Sequence, residues 1–594
     1  MFGWKKRRSE STVASAPSVP REPRPSEPPR PAPTPAEIVL AYHHTTKHHY
    51  HRYARSAGYL DWETQPDPFR RFEGAELVRL PFGREDESPT YEALFRAGAV
   101  TPRALDARAV GTLFELALGL TAWKEFQGSR WSLRANPSSG NLHPTEGYAV
   151  LPGGVIESDA GEEAWVAHYA PAEHAFEVRA RLATERGRAV MAGLPAESFL
   201  VGLTSIHWRE AWKYGERAYR YCHHDTGHAW AALRLAAASL GWRLVLLEDL
   251  GDDDVARLLG TDRLDESHER EREEADGLAV VITASGEVTV PLGVTSEAIA
   301  SAASGARWSG RANTLSPEHV DWNVIEIAAR AAAKPRTEAR VRTLPAPAGG
   351  PIPASDAAGA PTARRILAQR RSAVDLDGKT RLGAEAFFHL LQRLVPTGGT
   401  TKPAAPPWDT IGWEPRVHLA LFVHRVDGLI PGLYALPRKE SVAEALRAAM
   451  KSEFRWERAP GAPADLPLFL LRETDCVGLA KSVSCGQDIA GDGVASLGML
   501  AELDETIREQ GPWAYRRLHW EAGMIGQVLY LEAEAAGIRG TGIGCFFDDA
   551  VHETLGLTGT RFHTIYHFTF GGPVEDARLS TLPPYTDERR ALTA

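Results

Sequence analysis

The feature that most constrains the fold of this chain is an internal repeat. The stretch 219–260 aligns without a gap with the stretch 515–556, at an offset of 296 residues, and 14 of the 42 positions are identical. Both stretches also end on matched Asp-Asp and Leu-Gly pairs, which two unrelated alanine-rich helices would not share. The sequence therefore predicts a tandem duplication with one domain in each copy.

Two segments of unusual composition bound the predicted domains. Residues 1–36 begin with a basic run and continue into PREPRPSEPPRPAPTP. Proline at this density prevents helices and sheets from propagating, so a disordered tail is expected there. Residues 334–362 are rich in Pro, Ala and Gly, which is typical of a linker. The predicted domains are then 37–333 and 363–594.

Each repeat is predicted to begin with a long buried helix, over 219–240 and over 515–536. Alanine and leucine dominate both segments and proline is absent from them. Gly241 and Gly537 follow, where the C-terminus of a helix favours glycine. Apolar runs such as 416–426 predict strands, but helices and strands do not alternate regularly. The predicted fold class is therefore α+β rather than a doubly wound sheet.

Composition narrows the function classes. The net charge is −10, which argues against nucleic-acid binding driven by bulk charge. No apolar run reaches the ~18 residues of a membrane span, and the basic N-terminus lacks the apolar stretch of a secretory signal. The four cysteines form no CxxC pair, so we expect neither a disulfide framework nor a thiolate zinc site, and a reducing cytoplasm as the location. They are Cys222, Cys476, Cys485 and Cys545.

A loop with closely spaced polar groups is predicted at 135–147. Three residues break regular structure there, and three others offer hydroxyl or amide groups that can bond the edge of a polar heterocycle. An ordinary turn rich in Ser and Asn is the alternative. The breaking residues are Pro137, Gly140 and Pro144, and the polar ones are Ser138, Ser139 and Asn141.

A glycine-rich stretch, 539–549, follows the second predicted helix. Gly540, Gly542 and Gly544 would let the backbone approach a flat ligand or a phosphate closely. The spacing is not the dinucleotide-binding fingerprint, and the stretch follows a helix instead of opening one. A tight turn without a ligand is the alternative interpretation.

A paired-arginine motif offers a second way to bind phosphate. Arg370 and Arg371 precede the hydroxyl of Ser372, and guanidinium groups suit phosphate geometry better than lysine does. An exposed basic surface is the alternative for this triplet.

Lys213 and Tyr214 form a candidate catalytic pair. Arg209 and Arg217 lie one helical turn away on either side of the lysine. Neighbouring positive charges favour a neutral lysine, which is the form that accepts a proton. A basic exposed helix face with aromatic packing is the alternative.

Two histidines on the first predicted long helix are considered as metal ligands. His224 and His228 are four residues apart on a predicted helix, a spacing that can ligate a metal. Their counterparts in the second copy are Trp520 and Met524, and no third ligand is evident. No metal is therefore predicted.

In combination, these motifs resemble the SagB/ThcOx-type dehydrogenases, a branch of the FMN-dependent nitroreductase-like superfamily. The resemblance covers about 37–590, leaving out the predicted tail and linker. It implies two tandem nitroreductase-like domains, each an antiparallel sheet flanked by helices, which form an intramolecular pseudo-dimer. The segments that carry it are 42–74, 138–147, 208–229, 541–557 and 571–585.

The resemblance implies one composite FMN site with residues from both copies. In the superfamily one unit supplies an Arg-Arg-Ser-like motif and a Gly-Ile-Gly loop, and the other supplies a Pro-Ser-Ser-x-Asn-like loop. A cation near the C-terminus often binds the phosphate. The corresponding residues here are Arg370, Arg371, Ser372, Gly542, Ile543, Gly544 and Arg578 in the second copy, and Pro137, Ser138, Ser139, Gly140 and Asn141 in the first.

The opposite site is predicted to be degraded. The counterparts of Gly542 and Gly544 are Leu246 and Glu248, and a glutamate would repel a phosphate. Segment 395–413 of the second copy carries no matching Ser-Ser-Gly-Asn loop. The first-copy residues that parallel the Arg-Arg-Ser motif are predicted to be His43, His44 and Thr45. One FMN per chain is therefore expected.

The resemblance also implies an activity. Lys213 and Tyr214 match the Lys-Tyr pair of family members that oxidise thiazoline or oxazoline rings to azoles. Lys213 would act as the base that removes a proton, and Tyr214 would orient the ring or relay the proton. The expected substrate is a small molecule or a peptide. Biosynthetic partner proteins are compatible with this activity. For Cys545, a buried, inert thiol is the preferred interpretation, and a position near the flavin ring is the alternative.

Two other functions remain open from the sequence. One is an NAD(P)H-dependent reductase of nitro or quinone compounds. The other is a scaffold without flavin that binds a peptide or a partner protein.

Overall fold

The structure is a computed structural model that describes residues 32–156, 162–263, 268–338, 341–344, 346, 359–396 and 404–586. From Pro35 onward the chain forms one compact unit. The predicted disordered tail lies outside the described residues except for its last five positions, where a helix already begins at Pro35.

Helices and strands of the first half alternate irregularly. Its helices are α1 (Pro35–Thr45), α2 (Ala107–Leu118), α3 (Thr184–Met191), α4 (His207–Tyr214), α5 (Ala218–Ser239), α6 (Asp252–Leu259), α7 (Ser296–Ser304) and α8 (Asn323–Ala331). Its strands are β1 (Phe72–Glu73), β2 (Glu76–Arg79), β3 (Leu120–Phe126), β4 (Ser129–Arg134), β5 (Thr145–Leu151), β6 (Ala164–Ala170), β7 (Ala175–Leu182), β8 (Ser198–Ser205), β9 (Arg243–Leu246), β10 (Glu274–Ile282), β11 (Val288–Val290), β12 (Arg307–Trp308), β13 (Arg311–Ala312) and β14 (Arg342–Leu344).

The second half repeats the pattern. Its helices are α9 (Ala363–Gln369), α10 (Ala384–Gln392), α11 (Ala443–Ala449), α12 (Val477–Val483), α13 (Ile489–Asp492), α14 (Leu503–Gln510), α15 (Ala514–Ala535) and α16 (Asp548–Leu555). Its strands are β15 (Leu382–Gly383), β16 (Val417–Val423), β17 (Val426–Asp427), β18 (Gly432–Leu436), β19 (Glu457–Arg458), β20 (Phe469–Glu473), β21 (Ala495–Glu502), β22 (Arg539–Ile543), β23 (Phe562–Gly571) and β24 (Ser580–Leu582).

Each half contains one large antiparallel sheet, and the two sheets share one strand order. The first runs β9-β10-β8-β5-β6-β7, with β12 and β2 pairing at its β7 edge. The second runs β22-β23-β21-β16-β18-β20, with β19 at its edge. Helices flank both sheets, so the predicted α+β fold with two tandem domains is confirmed.

The two long helices, α5 and α15, lie against each other at the centre of the molecule. Both match the predicted segments, and Gly241 and Gly537 follow them with φ of +71° and +72°, a left-handed conformation that glycine adopts without strain. Tyr219 and Tyr515, which are equivalent in the repeat, stack with ring centroids 6.5 Å apart and an interplanar angle of 5°.

Contacts between these helices are reciprocal, as a pseudo-two-fold axis requires. A Cβ on Gly227 would overlap the carbonyl oxygen of Trp520, and a Cβ on the equivalent Gly523 would overlap the carbonyl oxygen of His224. Glycine at both positions therefore allows the two backbones to touch. The halves form the intramolecular pseudo-dimer that the family resemblance implied.

Ion pairs across the interface follow the same symmetry. Arg220 of α5 pairs with Asp548 of the second half at 2.8 Å, and Arg516 of α15 pairs with Asp252 of the first half at 2.8 Å. Each arginine is 296 residues from its equivalent, and so is each aspartate. Removing one partner of such a buried pair typically costs about 3–5 kcal/mol, since the other charge stays buried.

Two strand pairs lie outside the large sheets, one between the first half and the predicted linker and one between the two halves. Strand β14 lies inside the segment 334–362 and pairs with β11, so the described part of that segment packs on the first domain. Strand β24 of the second half pairs with β3 of the first half. Among the helices of the described residues, none has the length and apolar character needed to cross a membrane.

Candidate functional site

A cavity of about 440 Å³ lies where the two halves meet. Small-molecule sites usually fall between about 300 and 1,000 Å³, so the cavity is large enough for a ligand. The structure brings most of the predicted site residues to its wall. These are Pro137, Ser138, Ser139, Gly140, Asn141 and Tyr214 from the first half, and Arg370, Arg371, Ser372, Gly542, Ile543 and Gly544 from the second.

The predicted polar loop forms a single helical turn, Ser139–Asn141, within the cavity wall. Gly140 and Asn141 both have φ of +60°, which makes the turn sharp. The side-chain amide of Asn141 donates to the carbonyl of Ser132 at 2.9 Å, and the backbone amide of His143 donates to Ser138 Oγ at 2.8 Å. Several of the polar groups therefore hold the loop in shape.

The glycines of the Gly-Ile-Gly stretch accommodate tyrosine side chains. A Cβ on Gly542 would overlap the hydroxyl of Tyr566, and a Cβ on Gly544 would come 2.6 Å from the ring of Tyr221. The backbone amide of Gly542 donates to the hydroxyl of Tyr530 at 2.9 Å. All three tyrosines line the cavity, so this wall is built largely of aromatic rings.

Three arginines give the cavity an excess of positive charge. Arg370 is buried and donates to the carbonyls of Arg134 and Ala135, but its Nη1 has no hydrogen-bond partner. Arg371 donates to the carbonyl of Thr121 at 2.8 Å. Within the described part of the chain, none of Arg134, Arg370 and Arg371 forms an ion pair with a carboxylate.

Burial opposes the charge of all three groups. Burial lowers the pKa of Arg134 to about 10, and burial together with the neighbouring Arg370 lowers the pKa of Arg371 to about 10. The pKa of Arg370 is also lowered by burial. An anion in the cavity would relieve this electrostatic cost.

Arg578, which was expected to bind phosphate, lies outside the cavity lining. Its guanidinium pairs with Asp576, two residues earlier, through bonds of 2.9 and 2.7 Å. The side chain is 74 % exposed and lies over the ring of Phe126. The adjacent carboxylate provides a local partner that the family pattern could not reveal.

Lys213 and Tyr214 lie at the end of α4, directly behind the polar loop. A Cβ on Gly140 would come 2.6 Å from the Tyr214 hydroxyl and 3.1 Å from Lys213 Nζ. Tyr214 lines the cavity, whereas Lys213 is half-buried next to the lining. Burial raises the pKa of Tyr214 well above its usual value, so its hydroxyl remains a proton donor.

The two arginines expected to act on Lys213 form ion pairs with other carboxylates. Arg209 pairs with Glu146, and Arg217 pairs with Asp548 at 2.9 Å. Lys213 instead lies near the carboxyl of Glu210, one turn earlier on the same helix. The expected reason for its reactivity is therefore wrong, because both arginines have buried acidic partners.

Glu210 and Asp225 form a buried carboxyl pair that the sequence analysis missed. The two groups lie within hydrogen-bonding reach of each other, and burial raises the pKa of both, that of Asp225 to about 7. Ser139 donates its backbone amide to Asp225 at 3.2 Å. A carboxylate at the same repeat position, Glu521, on a helix predicted to be buried was the available signal, because buried acids are rare.

The two histidines considered for a metal form part of the aromatic wall. His228 lines the cavity, and its Nε2 lies 3.2 Å from the Tyr566 hydroxyl. His224 stacks on the ring of Tyr566 with centroids 4.2 Å apart. Burial lowers the pKa of His228 to about 3, so its ring stays neutral. No group of three potential metal ligands occurs among the residues that the structure describes.

The pseudo-two-fold axis relates the cavity to a second position, beside Leu246 and Glu248, and protein groups fill that position. Glu248 accepts a bond from the backbone amide of Gly412 and lies 3.5 Å from Arg517. Arg342 donates to the carbonyl of Ile411 at 2.7 Å. The cavity left beside Leu246 measures about 20 Å³, too small for a cofactor.

The predicted parallel between His43 and the paired arginines is wrong. His43 is fully buried, with its ring nitrogens 3.2 Å from the Tyr515 hydroxyl and 3.0 Å from His563. It packs beside the start of α15, because α1 contacts the N-terminal ends of the two central helices through Tyr42 and His43.

Cys545 differs from the buried, inert thiol that was expected. It is half-buried and lines the cavity, and its Sγ lies 3.0 Å from Cys485 Sγ. The repeat alignment gave no sign of this contact, because Cys485 lies outside the aligned stretch.

Comparison with known proteins agrees with this architecture. The model of the nitroreductase family matches residues 100–268 and 431–572, one segment in each half and together more than half of the chain. The chain belongs to the nitroreductase family. Each half supplies one copy of the family domain. No curated protein sequence matches the chain significantly.

One solved structure has a similar fold over most of this chain, and two others match at lower scores. A protein described as a nitroreductase from Anabaena variabilis matches with a TM-score of 0.62 and 22 % identity, over 90 % of this chain and 99 % of its own. The E. coli microcin synthetase McbBCD complex with truncated pro-MccB17 matches at 0.27 and 15 %, over 35 % and 70 %. NfnB from Mycobacterium smegmatis, in complex with NADPH, matches at 0.19 and 16 %, over 36 % and 89 %. The match to the Anabaena protein supports the fold and nothing beyond it. The other two TM-scores are below 0.5 and support no conclusion.

Proposed function

We propose that this nitroreductase-family chain is an FMN-dependent oxidoreductase of the SagB type, which dehydrogenates an azoline-like ring in a small molecule or a peptide. The observation that carries the proposal is the position of Lys213 and Tyr214 beside Gly140, at the wall of a cavity that both halves build. A group that removes a proton from carbon belongs at such a place in a dehydrogenase.

The residues of the cavity fit FMN. The free Nη1 of Arg370 and the unpaired charges of Arg371 and Arg134 would hold its phosphate, because charge-assisted bonds to arginine suit phosphate geometry. The loop from Pro137 to Asn141 would bound the ring, opposite the Gly542–Gly544 backbone. When bound, FMN accepts a hydride from carbon.

The chain's own residues would handle the proton. Lys213, in its uncharged form, removes the proton from the atom next to the carbon that is oxidised, and the Tyr214 hydroxyl orients the ring or relays the proton. Glu210 lies near Lys213, and it shares protons with Asp225. The carboxyl pair lies next to the base and would belong to the same proton-handling group of the site.

One FMN per chain follows from the asymmetry of the two halves. The phosphate-binding cations and the loop occur together at one position, and Glu248 with Gly412 fills the other. We place the protein in a reducing cytoplasm, where biosynthetic partner proteins would supply the azoline ring.

The decisive experiment combines a cofactor assay with a substrate assay. The purified chain should be yellow, should release FMN on denaturation, and should convert an azoline-containing peptide to a product lighter by two hydrogens. NAD(P)H consumption with nitro or quinone acceptors, without peptide oxidation, would favour the reductase. A colourless protein that takes up no FMN would favour the scaffold.

A further inference from the structure

We propose that Cys485 and Cys545 are a redox-active thiol pair that cycles between a dithiol and a disulfide at the wall of the cavity. Their sulfur atoms lie 3.0 Å apart, although 60 residues separate them in sequence. A disulfide bond measures about 2.05 Å, so the two atoms need to approach by only about 1 Å.

Hydrogen bonds on both sides of the pair hold the two segments in register. The backbone amide of Phe547 donates to the carbonyl of Val483 at 2.9 Å, and the Gln487 side chain donates to the carbonyl of Cys545 at 2.8 Å. Each bond lies within two residues of both cysteines. One backbone bond and one side-chain bond thus hold the two cysteine segments next to each other.

The pair is accessible, unlike the other cysteines of the chain. Cys485 and Cys545 are half-buried, whereas Cys222 and Cys476 are buried. Tyr53, which lies beside Cys485, is 50 % exposed. A small disulfide can therefore approach the pair from solvent, and the two buried cysteines serve as internal controls.

The surroundings assign different roles to the two sulfurs. The contact between the two thiols, together with His48 and Arg217, lowers the pKa of Cys545 to about 5, while the same contact raises the pKa of Cys485. Cys545 is thus the thiolate that attacks, and Cys485 is the thiol that resolves.

The chemistry balances with a small-molecule disulfide, RSSR, as oxidant. The Cys545 thiolate attacks one sulfur of RSSR, the RS–SR bond breaks, and one RS⁻ leaves as the mixed disulfide forms. Cys485 gives its proton to that RS⁻ and then attacks Cys545 Sγ, which expels the second RS⁻. Two electrons pass from the cysteine pair to RSSR.

The position of Cys545 in the cavity wall links this couple to the site. The disulfide would accept the two electrons and two protons that substrate oxidation releases in the cavity, which returns the pair to the dithiol. This link rests on the proposed function. The thiol–disulfide couple itself does not, and it is measurable in protein freed of flavin.

The test measures thiols directly. The full-length chain, with and without FMN, is equilibrated in glutathione buffers of increasing oxidised fraction, alkylated, and analysed by intact-mass and peptide mass spectrometry. We expect a loss of two alkylatable thiols per chain in a single transition, with Cys485 linked to Cys545. Thiols at Cys485 and Cys545 that persist at full oxidation, or a stable mixed disulfide on the wild-type chain, would overturn the proposal.

Serine variants separate the roles. Cys485→Ser should trap one glutathione on Cys545, Cys545→Ser should leave Cys485 unmodified at neutral pH, and Cys476→Ser should retain the wild-type transition. Equal trapping in the first two variants would refute the assigned roles. In FMN-bound protein, anaerobic reduction of the oxidised chain should take four electrons, but only two in Cys545→Ser, which forms no disulfide. If no flavin is retained, the proposed function fails while the mass-spectrometric transition still decides the thiol proposal.

Discussion

Replacing Arg370 by glutamine tests the phosphate end of the proposed site. Arg370 is buried, its Nη1 lacks a partner, and no carboxylate neutralises it within the described residues. Glutamine keeps one donor for the carbonyl of Arg134 or Ala135 but removes the charge and the free N–H. A hydrogen bond to a charged group contributes about 1.5–3 kcal/mol. Since 1.4 kcal/mol is a factor of ten, the Kd for FMN should rise about 10- to 140-fold.

The assay is a fluorescence titration of FMN into protein freed of flavin, with the thermal midpoint measured on the same samples. Arg578→Gln is the matched control, because Arg578 is exposed and paired with Asp576. Its Kd should stay within a factor of two of the wild-type value. An unchanged Kd in Arg370→Gln, or an equal loss in both folded variants, would refute the assignment of the phosphate to Arg370.

Three further changes test the base, the carboxyl pair and the helix interface. Lys213→Ala should retain FMN but lose about 10²- to 10⁴-fold in substrate oxidation, with a smaller loss in Tyr214→Phe; intact turnover at full occupancy would contradict this. Burial places the folded-state pKa of Asp225 above its unfolded value, so this group's contribution to the unfolding free energy falls as pH rises from about 4 to about 7. Urea unfolding at pH 5 and pH 7 should therefore show a smaller pH-dependent loss in Asp225→Asn, and identical pH dependence would argue against a shared proton. Gly227→Ala should lower stability by about 1–3 kcal/mol, because its Cβ would overlap the opposite helix. Gly478→Ala, in a helix with nothing within 4 Å, should not lower it.

Much of the fold could be predicted because each structural feature of the repeat occurs twice in the sequence. Paired features at one offset, such as Gly227 with Gly523 and Arg220 with Arg516, follow from two copies packing across one axis. The strand inside the predicted linker escaped notice because Pro, Ala and Gly dominate that segment. Its pairing partner, β11, lies about 50 residues earlier.

The site was predicted less completely, because partner choice depends on distant residues. Local spacing placed Arg209 and Arg217 beside Lys213, but buried acids remote in sequence attract both arginines. The carboxyl pair and the thiol pair likewise join segments that no motif connects. Arg578 shows the reverse case, since it pairs with its sequence neighbour Asp576, which itself lines the cavity.

The ratio of FMN to protein tests the central proposal most directly. The purified full-length chain is denatured, the released flavin is identified by chromatography and quantified by absorbance, and the protein is quantified by amino-acid analysis. After saturation with FMN and removal of the excess, the account predicts one FMN per chain, because only one pseudo-equivalent position combines the cavity, the arginines and the polar loop. A ratio near two, or no retained flavin, would contradict it.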